Sequence, residues 1–245
     1  MLFSLDDTPQ DAPFPEARFA ETEPNGLLAI GGDLGITRLL QAYRKGIFPW
    51  FNDDQPILWW SPDPRMVLYT DRMKHPRSLR KVLRNGGFDV SFNAAFEAVI
   101  DACAAPRPDQ QGTWIVPEMR TAYLALHEAG YARSVEVWRD DELVGGLYGV
   151  MLGRIFFGES MFTRCANASK VALSCLCRWL REHEAPLIDC QVHSHHLASL
   201  GASEIPRAEF NHLLDRHIDG LAAPPAWPEG RFPAGTRGGV EADHE

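Results

Sequence analysis

The chain has 245 residues, 45% of them hydrophobic, which is enough to bury a substantial core in one domain or two. No apolar run approaches the roughly 18 residues of a membrane span, and acidic residues stand near the N-terminus where a signal peptide carries bases, so we expect a cytoplasmic protein without a membrane partner. The five cysteines show no CxxC pair and are typical of reduced, buried thiols.

Positive charge is concentrated in one short window of an acidic chain. The formal net charge is −9, yet residues 65–84 hold seven basic residues against one acidic residue. A basic island on an acidic protein is typical of a surface that binds a nucleic-acid backbone. Runs of charge also occur on plain solvated helix faces, so charge alone leaves both interpretations open.

The first 64 residues predict a small N-terminal domain with an aromatic cluster. After an acidic, proline-containing start, apolar periodicity predicts a helix over residues 37–45, and Gly46 terminates it. Aromatic residues then crowd segments 47–51 and 57–60. The prolines at positions 62 and 64 follow, and such a stretch is typical of a domain boundary. We therefore expect the second domain to begin at residue 65.

Helix and strand signals alternate through the rest of the chain. Helix starts are predicted at Asn93, Pro117 and Asn167, and helices over residues 76–84, 93–104, 117–130, 168–184 and 206–218, with a short helix before residue 201. Strands are predicted over residues 88–92, 132–138, 142–152, 154–158 and 187–191. This order favours an α+β fold with a mostly antiparallel mixed sheet. Proline, glycine and charge dominate residues 222–245 and predict a disordered tail.

Two predicted strand ends carry polar side chains where a structural strand would hold apolar ones. In Leu187-Ile-Asp-Cys-Gln191, alternation sends Asp189 and Gln191 to one face and Cys190 to the other. A carboxylate beside a carboxamide can polarise the amide oxygen towards an amine, which suits amide-bond formation without a covalent enzyme intermediate. Glu159 follows another apolar run and places a second carboxylate at a strand end.

The histidine-rich segment 193–196 contains the residue type that metal sites use most often. Adjacent histidines on a helix or a turn point in different directions, so they do not all face one ion. We therefore expect no metal there.

Rare, tryptophan-rich strings follow one another from about residue 23 to residue 211. They are Ile30-Gly-Gly-Asp-Leu34, Gly46-Ile-Phe-Pro-Trp-Phe51, Leu58-Trp-Trp-Ser-Pro-Asp-Pro-Arg65, Thr113-Trp-Ile, Ser134-Val-Glu-Val-Trp138, Glu142-Leu-Val-Gly-Gly146, Gly158-Glu-Ser-Met-Phe162, Asn167-Ala-Ser-Lys170, Leu187-Ile-Asp-Cys-Gln191, Ala198-Ser-Leu-Gly201 and Glu204-Ile-Pro-Arg207. In this order the strings, which cover most of the chain, resemble the leucyl/phenylalanyl-tRNA–protein transferase family.

The resemblance implies a GNAT-like acyltransferase fold for residues 65–221, following the small N-terminal domain over residues 1–64. It implies an aminoacyltransferase that moves Leu or Phe, and Met less well, from aminoacyl-tRNA to proteins with N-terminal Arg or Lys. The new peptide bond would mark these acceptors for degradation by the N-end rule pathway. Because an aminoacyl ester on tRNA is already activated, we expect neither a cofactor nor a metal.

The resemblance also assigns roles to the polar residues at the strand ends. Asp189 is expected to polarise Gln191, whose oxygen would receive the proton of the attacking amine. Alternatively, the pair only orients the substrates and the ribose hydroxyl relays the proton. Glu159 is expected to bind a cationic group nearby, either the aminoacyl amine or the acceptor.

Apolar and aromatic residues complete the site that the resemblance implies. Leu147, Phe156 and Ile188 match the family's pocket for the transferred side chain. Leu176 and Leu180 are aliphatic where some relatives have Phe, so the preference between Phe and Leu stays open. Trp50 and Trp114 match residues that hold the terminal adenine by stacking, worth roughly 1–3 kcal/mol per base.

Two other functions were considered. An acetyltransferase that uses coenzyme A needs a glycine-rich turn before its central helix, and the turn over residues 164–169 contains no glycine, so we expect no CoA. A non-catalytic RNA-binding module would use the basic island but would not need the carboxylates and the carboxamide. Within the island we expect Arg77, Arg80 and Lys81 to contact the tRNA backbone.

Overall fold

The computed structural model of the chain describes residues 2–106, 115–218 and 226–236. A first sheet contains β1 (Phe3–Ser4), β2 (Leu27–Ile30), β3 (Phe48–Pro49) and β4 (Leu58–Trp60). A second sheet contains β5 (Arg65–Tyr69), β6 (Asp89–Phe92), β7 (Ala132–Arg139), β8 (Glu142–Leu152), β9 (Ile155–Thr163), β10 (Leu187–Gln191), β11 (Ser203–Ile205) and β12 (Arg231–Pro233). The helices are α1 (Ile36–Arg44), α2 (Arg77–Asn85), α3 (Phe96–Ala104), α4 (Pro117–Glu128), α5 (Ala168–Glu182), α6 (His195–Ser199) and α7 (Arg207–His217).

The larger sheet confirms the predicted α+β class and the mostly antiparallel pairing. Its strand order is β11-β5-β10-β9-β8-β7-β6-β12. Among the strand pairs of the described residues in this sheet, only β9 and β10 run parallel, and helix α5 connects them. The smaller sheet has the order β1-β2-β4-β3 and ends at Trp60, shortly before β5 begins. The division into two domains at residue 65 stays a prediction.

Two hydrophobic cores cover the two faces of the larger sheet. Along β8, Tyr148 and Val150 contribute to the core that contains α1, α3 and α4, whereas Leu147 and Met151 contribute to the core that contains α5. This alternation is the period-2 pattern of a strand that is buried on both faces. It determines which side chains approach the site from each side.

The predicted helix bounds agree with the structure to within three residues at each end, but the predicted helix start at Asn93 is wrong. Asn93 does not begin α3; its side-chain oxygen accepts the backbone N–H of Ser134, and Ala95 is the N-cap residue. Asn167 is at the N-cap of α5, yet it has a left-handed backbone with φ of 70° and no capping hydrogen bond. Asn tolerates this conformation better than most residues, which explains its place in the tight turn.

The predicted disordered tail is wrong for residues 226–236. Arg231–Pro233 forms β12 antiparallel to β6, and the Phe232 side chain is buried. The high proline and glycine content misled the sequence interpretation, because a short edge strand needs little apolar periodicity when one aromatic residue anchors it. Residues 237–245 lie outside the described part of the chain. Within that described part, no helix combines the length and apolar character that crossing a membrane requires.

Candidate active site

A cavity of about 870 Å³ opens where β9 and β10 part. The two strands pair only as far as Phe157 and Asp189, while β9 continues to Thr163. The sequence predicted that this strand ends at residue 158. Because β9 extends to Thr163, Glu159 lies within the strand rather than at its end. The cavity is lined by seven of the predicted site residues, namely Trp50, Leu147, Phe156, Glu159, Ile188, Asp189 and Gln191. Trp114 lies outside the described residues.

The predicted apolar residues form one wall of the cavity. Leu147, Phe156 and Ile188 come from neighbouring strands β8, β9 and β10 and are almost fully buried on the α5 face of the sheet. Leu173 and Leu176 of α5 also line the cavity, while Leu180 is buried elsewhere in the same core. An apolar recess of this kind suits an aliphatic or aromatic side chain, because it offers burial without polar partners.

Asp189 is fully buried and forms a bidentate ion pair with Arg65. The carboxylate oxygens lie 2.8 Å from Arg65 Nε and 2.6 Å from Nη2. Arg65 also donates to the carbonyl of Gly46, and its guanidinium lies against the rings of Phe48 and Phe210. Arg65 is the first of the seven basic residues in the window 65–84, but its side chain is 1% exposed and neutralises Asp189, so it adds no charge to the exposed basic surface.

The backbone of Gln191 departs from regular strand geometry. A register shift between Asp189 and Gln191 interrupts the pairing with β5, and Gln191 has a left-handed φ of 64°. The alternation expected for this strand therefore fails at its end, where Cys190 also lines the cavity. Asp189 Oδ1 accepts the backbone N–H of Gln191 at 2.9 Å. This bond holds the turn that aims the carboxamide.

The side chain of Gln191 contacts Glu159 rather than Asp189. Its amide nitrogen donates to Glu159 Oε1 at 3.0 Å. This orientation leaves the carbonyl oxygen of the amide without a donor among the described residues. Asp189 therefore acts on Gln191 through the backbone, while Glu159 fixes the direction of the amide.

Two buried tyrosines surround the carboxyl group of Glu159. Tyr43 of α1 and Tyr123 of α4 each approach one carboxyl oxygen at 2.8 Å, and their own hydroxyls lie 2.5 Å apart. The three groups therefore make three close contacts, but two phenol protons satisfy only two of them. A protonated Glu159 supplies the third proton. The hydrogen bonding of this group therefore depends on whether Glu159 carries a proton.

Electrostatics favour the same conclusion for this triad of Tyr43, Tyr123 and Glu159. Burial raises the pKa of Glu159 to about 7, despite the two tyrosine hydrogen bonds, which lower it. Burial and the neighbouring Glu159 raise the pKa values of both tyrosines well above their ordinary value, so the phenols remain protonated donors. Burial therefore places the charge change of Glu159 near neutral pH.

The mouth of the cavity carries exposed aromatic and imidazole groups. Trp50 is 44% exposed, and its ring centroid lies 5.9 Å from that of Trp60. Trp60 donates its indole N–H to the Trp50 carbonyl, which fixes the loop that presents Trp50. His196 also lines the cavity, and burial, followed by the nearby Lys170, lowers its pKa. The described residues contain no group of three or more metal-ligating side chains.

Helix α2 presents the predicted tRNA-binding residues away from the cavity lining. Arg77, Arg80 and Lys81 are exposed, while Leu79 is buried against the core beneath the helix. The helix therefore offers one basic face to solvent. The structure does not bring these three residues into the cavity, which leaves them free to contact a ligand that extends beyond it.

Three residues of the site were missed as functional in the sequence: Arg65, Tyr43 and Tyr123. Tyr43 and Tyr123 lie within the helices predicted over residues 37–45 and 117–130, where an aromatic residue in an apolar pattern gives no sign of a polar role. The available signal was the need of fully buried Asp189 and half-buried Glu159 for donors, because a carboxylate removed from water without partners is costly. Which donors supply them depends on contacts 36 to 124 residues apart in sequence.

Comparisons with known proteins identify the family of the chain. A family model described as leucyl/phenylalanyl-tRNA protein transferase matches residues 67–215, and a model of the N-terminal domain of the same family matches residues 32–63. A solved GCN5-related N-acetyltransferase from Kribbella flavida shares 12% identity, with a TM-score of 0.32 over 67% of this chain and 59% of that chain. A similarity this low carries no conclusion, so the GNAT-like fold stays a prediction.

Curated relatives cover nearly the whole chain. The leucyl/phenylalanyl-tRNA–protein transferase of Nitrosospira multiformis is 56% identical over 89% of this chain and 94% of its own. The transferase of the same name from Methylococcus capsulatus is 52% identical over 93% of this chain and 97% of its own. The chain therefore belongs to the leucyl/phenylalanyl-tRNA–protein transferase family, whose members are aminoacyltransferases that act between tRNA and protein.

Proposed function

We propose that this enzyme transfers Leu or Phe, and Met less efficiently, from aminoacyl-tRNA to the N-terminal Arg or Lys of acceptor proteins. The product would carry a new N-terminal residue that directs it to degradation by the N-end rule pathway. The observation that supports this proposal is one cavity with two unlike walls. Leu147, Phe156 and Ile188 offer an apolar recess, while Glu159 and Gln191 offer polar groups beside it.

The chemistry of transfer assigns a task to each wall. The aminoacyl side chain occupies the apolar recess, which places the ester carbonyl near the polar groups. The neutral acceptor α-amine attacks that carbonyl and gives up a proton; the bond from the carbonyl carbon to the ribose oxygen breaks, and the ribose oxygen takes up a proton to become a hydroxyl. No nucleotide cofactor is required, because the ester is already activated.

Gln191 and Glu159 are the groups we assign to the amine. The free carbonyl oxygen of Gln191 accepts a hydrogen bond from the amine, and Glu159 binds its positive charge or takes its proton. The alternative, in which the ribose hydroxyl relays the proton while Gln191 only orients the amine, gives the same products. Both versions require the orientation of Gln191 that Glu159 and Asp189 maintain.

The proposal is tested by transfer of labelled Leu, Phe and Met from charged tRNA to matched peptides. We expect label on peptides with N-terminal Arg or Lys, and none on peptides that begin with Ala or carry an acetylated Arg. Gln191→Ala is expected to lower the rate at saturating donor by about 10²-fold or more, as loss of a positioned polar group does. Equal labelling of all the peptides would exclude the proposed acceptor specificity.

A second prediction concerns the exposed face of α2. Charge reversal at Arg77, Arg80 and Lys81 is expected to raise KM for aminoacyl-tRNA and to flatten its dependence on salt, because each lost phosphate contact reduces counterion release. A minimal aminoacyl-adenosine donor, which lacks the distant backbone, should be used equally well by wild type and variant. Equal losses with both donors would contradict a role in tRNA binding.

A further inference from the structure

The C-terminal segment 226–236 lies against the outer side of the apolar recess. It follows the residues 67–215 that match the family model. Strand β12 joins the sheet edge at β6, and the carbonyl of Ala234 accepts hydrogen bonds from Arg178 and Cys175 of α5. The segment is thus attached both to the sheet and to the helix that supplies Leu173 and Leu176 to the cavity.

Trp227 connects this segment to the cavity wall. Its ring stacks on Trp179 of α5 with centroids 4.4 Å apart and an interplanar angle of 20°. On another side it lies 6.3 Å from Phe156, centroid to centroid. Phe156 is 1% exposed and lines the apolar recess, so it separates Trp227 from the space where the transferred side chain would lie.

We propose that Trp227 is a positioning residue that sets the depth of the donor side-chain recess by supporting Phe156 from behind. Protein cores are close-packed, so Phe156 cannot retreat while the indole occupies that position. The contacts that the structure describes for the indole are ring contacts with Phe92, Phe156 and Trp179, so its contribution to the wall is packing volume. This inference rests on the proposed function, in which the recess receives Leu, Phe or Met.

The test is the ratio of kcat/KM for Leu-tRNA to kcat/KM for Phe-tRNA, measured with the full chain and one Arg peptide. Trp227→Ala should let Phe156 move back and enlarge the recess, so Leu loses contact while Phe gains room. We expect the ratio to fall about 10-fold, comparable to the effect of one methylene in an apolar pocket. Trp227→Phe keeps a smaller ring, so its ratio should lie between that of wild type and that of Trp227→Ala.

Phe232→Ala is the matched control. Phe232 belongs to the same segment and stacks on Phe92, so its loss removes packing from the segment, while Trp227 keeps its stacking on Trp179 behind Phe156. We expect a lower melting temperature and an unchanged donor ratio. The inference is overturned if Trp227→Ala and Trp227→Phe lower kcat/KM equally for Leu-tRNA and Phe-tRNA, or if they leave the ratio of the two at the wild-type value. Failure of wild type to transfer either amino acid would instead refute the proposed function.

Discussion

Replacement of Arg65 by Met is expected to destabilise the protein by about 3–5 kcal/mol and to abolish transfer. Methionine has a similar length, so the change removes the charge and the donors more than the volume. It leaves the Asp189 carboxylate fully buried with no cation beside it. Breaking a buried pair in this way is costly because the remaining charge has lost both water and partner. Urea unfolding and the peptide transfer assay measure the two effects.

The double variant Arg65→Met with Asp189→Leu separates stability from catalysis. Replacing both members of a buried ion pair by apolar residues is often neutral or stabilising, so most of the lost stability should return. Transfer should remain absent, because the backbone N–H of Gln191 then has no acceptor and the left-handed turn at Gln191 is no longer held. Recovery of transfer together with stability would show that Arg65 and Asp189 serve the fold alone.

The sequence predicted the walls of the site because their signals are local. Buried strands such as 142–152 have runs of apolar residues with a fixed period, and a polar residue at a strand end stands out from them. Glu159, Asp189 and Gln191 could therefore be named before their surroundings were known, whereas Phe156 and Ile188 were named only through the family resemblance. The family resemblance added Trp50 and Leu147, which local pattern alone would have left in the core.

The hydrogen bonding within the site could not be predicted in the same way. Tyr43 and Tyr123 reach Glu159 from separate helices, and nothing in either helix marks its tyrosine as a carboxyl partner. The bulge at Gln191 also has no sequence signal, because an irregularity of one residue changes the face of the side chain without changing the apolar pattern. Long-range packing determines both features.

Substitution of Glu159 by Gln is expected to change the pH dependence of transfer. Burial raises the pKa of Glu159 to about 7, so in wild type the carboxylate is lost as pH falls through that value. If the carboxylate serves the amine, kcat/KM should fall on the acid side with a limb near pH 7. The Gln variant should lack this limb. It should also be about 10²-fold slower at pH 8, because a neutral carboxamide neither binds the positive charge of the amine nor accepts its proton. The amine itself, with a pKa of roughly 7.7–8.0, contributes a separate limb in both proteins.

The titration of Glu159 should also make the free energy of unfolding depend on pH. Transfer falls as pH falls through about 7, whereas the free energy of unfolding falls as pH rises through the same range. The pKa of Glu159 is higher in the folded protein than its ordinary value of 4.5, so the folded state binds the extra proton. The stability that comes from this proton is complete below pH 4.5 and is lost as pH rises through about 7. Relative to wild type, the Gln variant should therefore gain up to about 3 kcal/mol between these two pH values.

Two variants test whether the limb belongs to Glu159. Glu136→Gln changes another buried carboxyl group, which bonds Ser91 and Ser134 and does not line the cavity, so the limb near pH 7 should persist. Tyr43→Phe removes a hydrogen bond that lowers the pKa of Glu159, so the limb should move to higher pH. A limb that is unmoved in Tyr43→Phe and retained in Glu159→Gln would assign the titration to another group. A limb that moves in the first and vanishes in the second would identify the carboxyl group between the two tyrosines as the one that meets the amine.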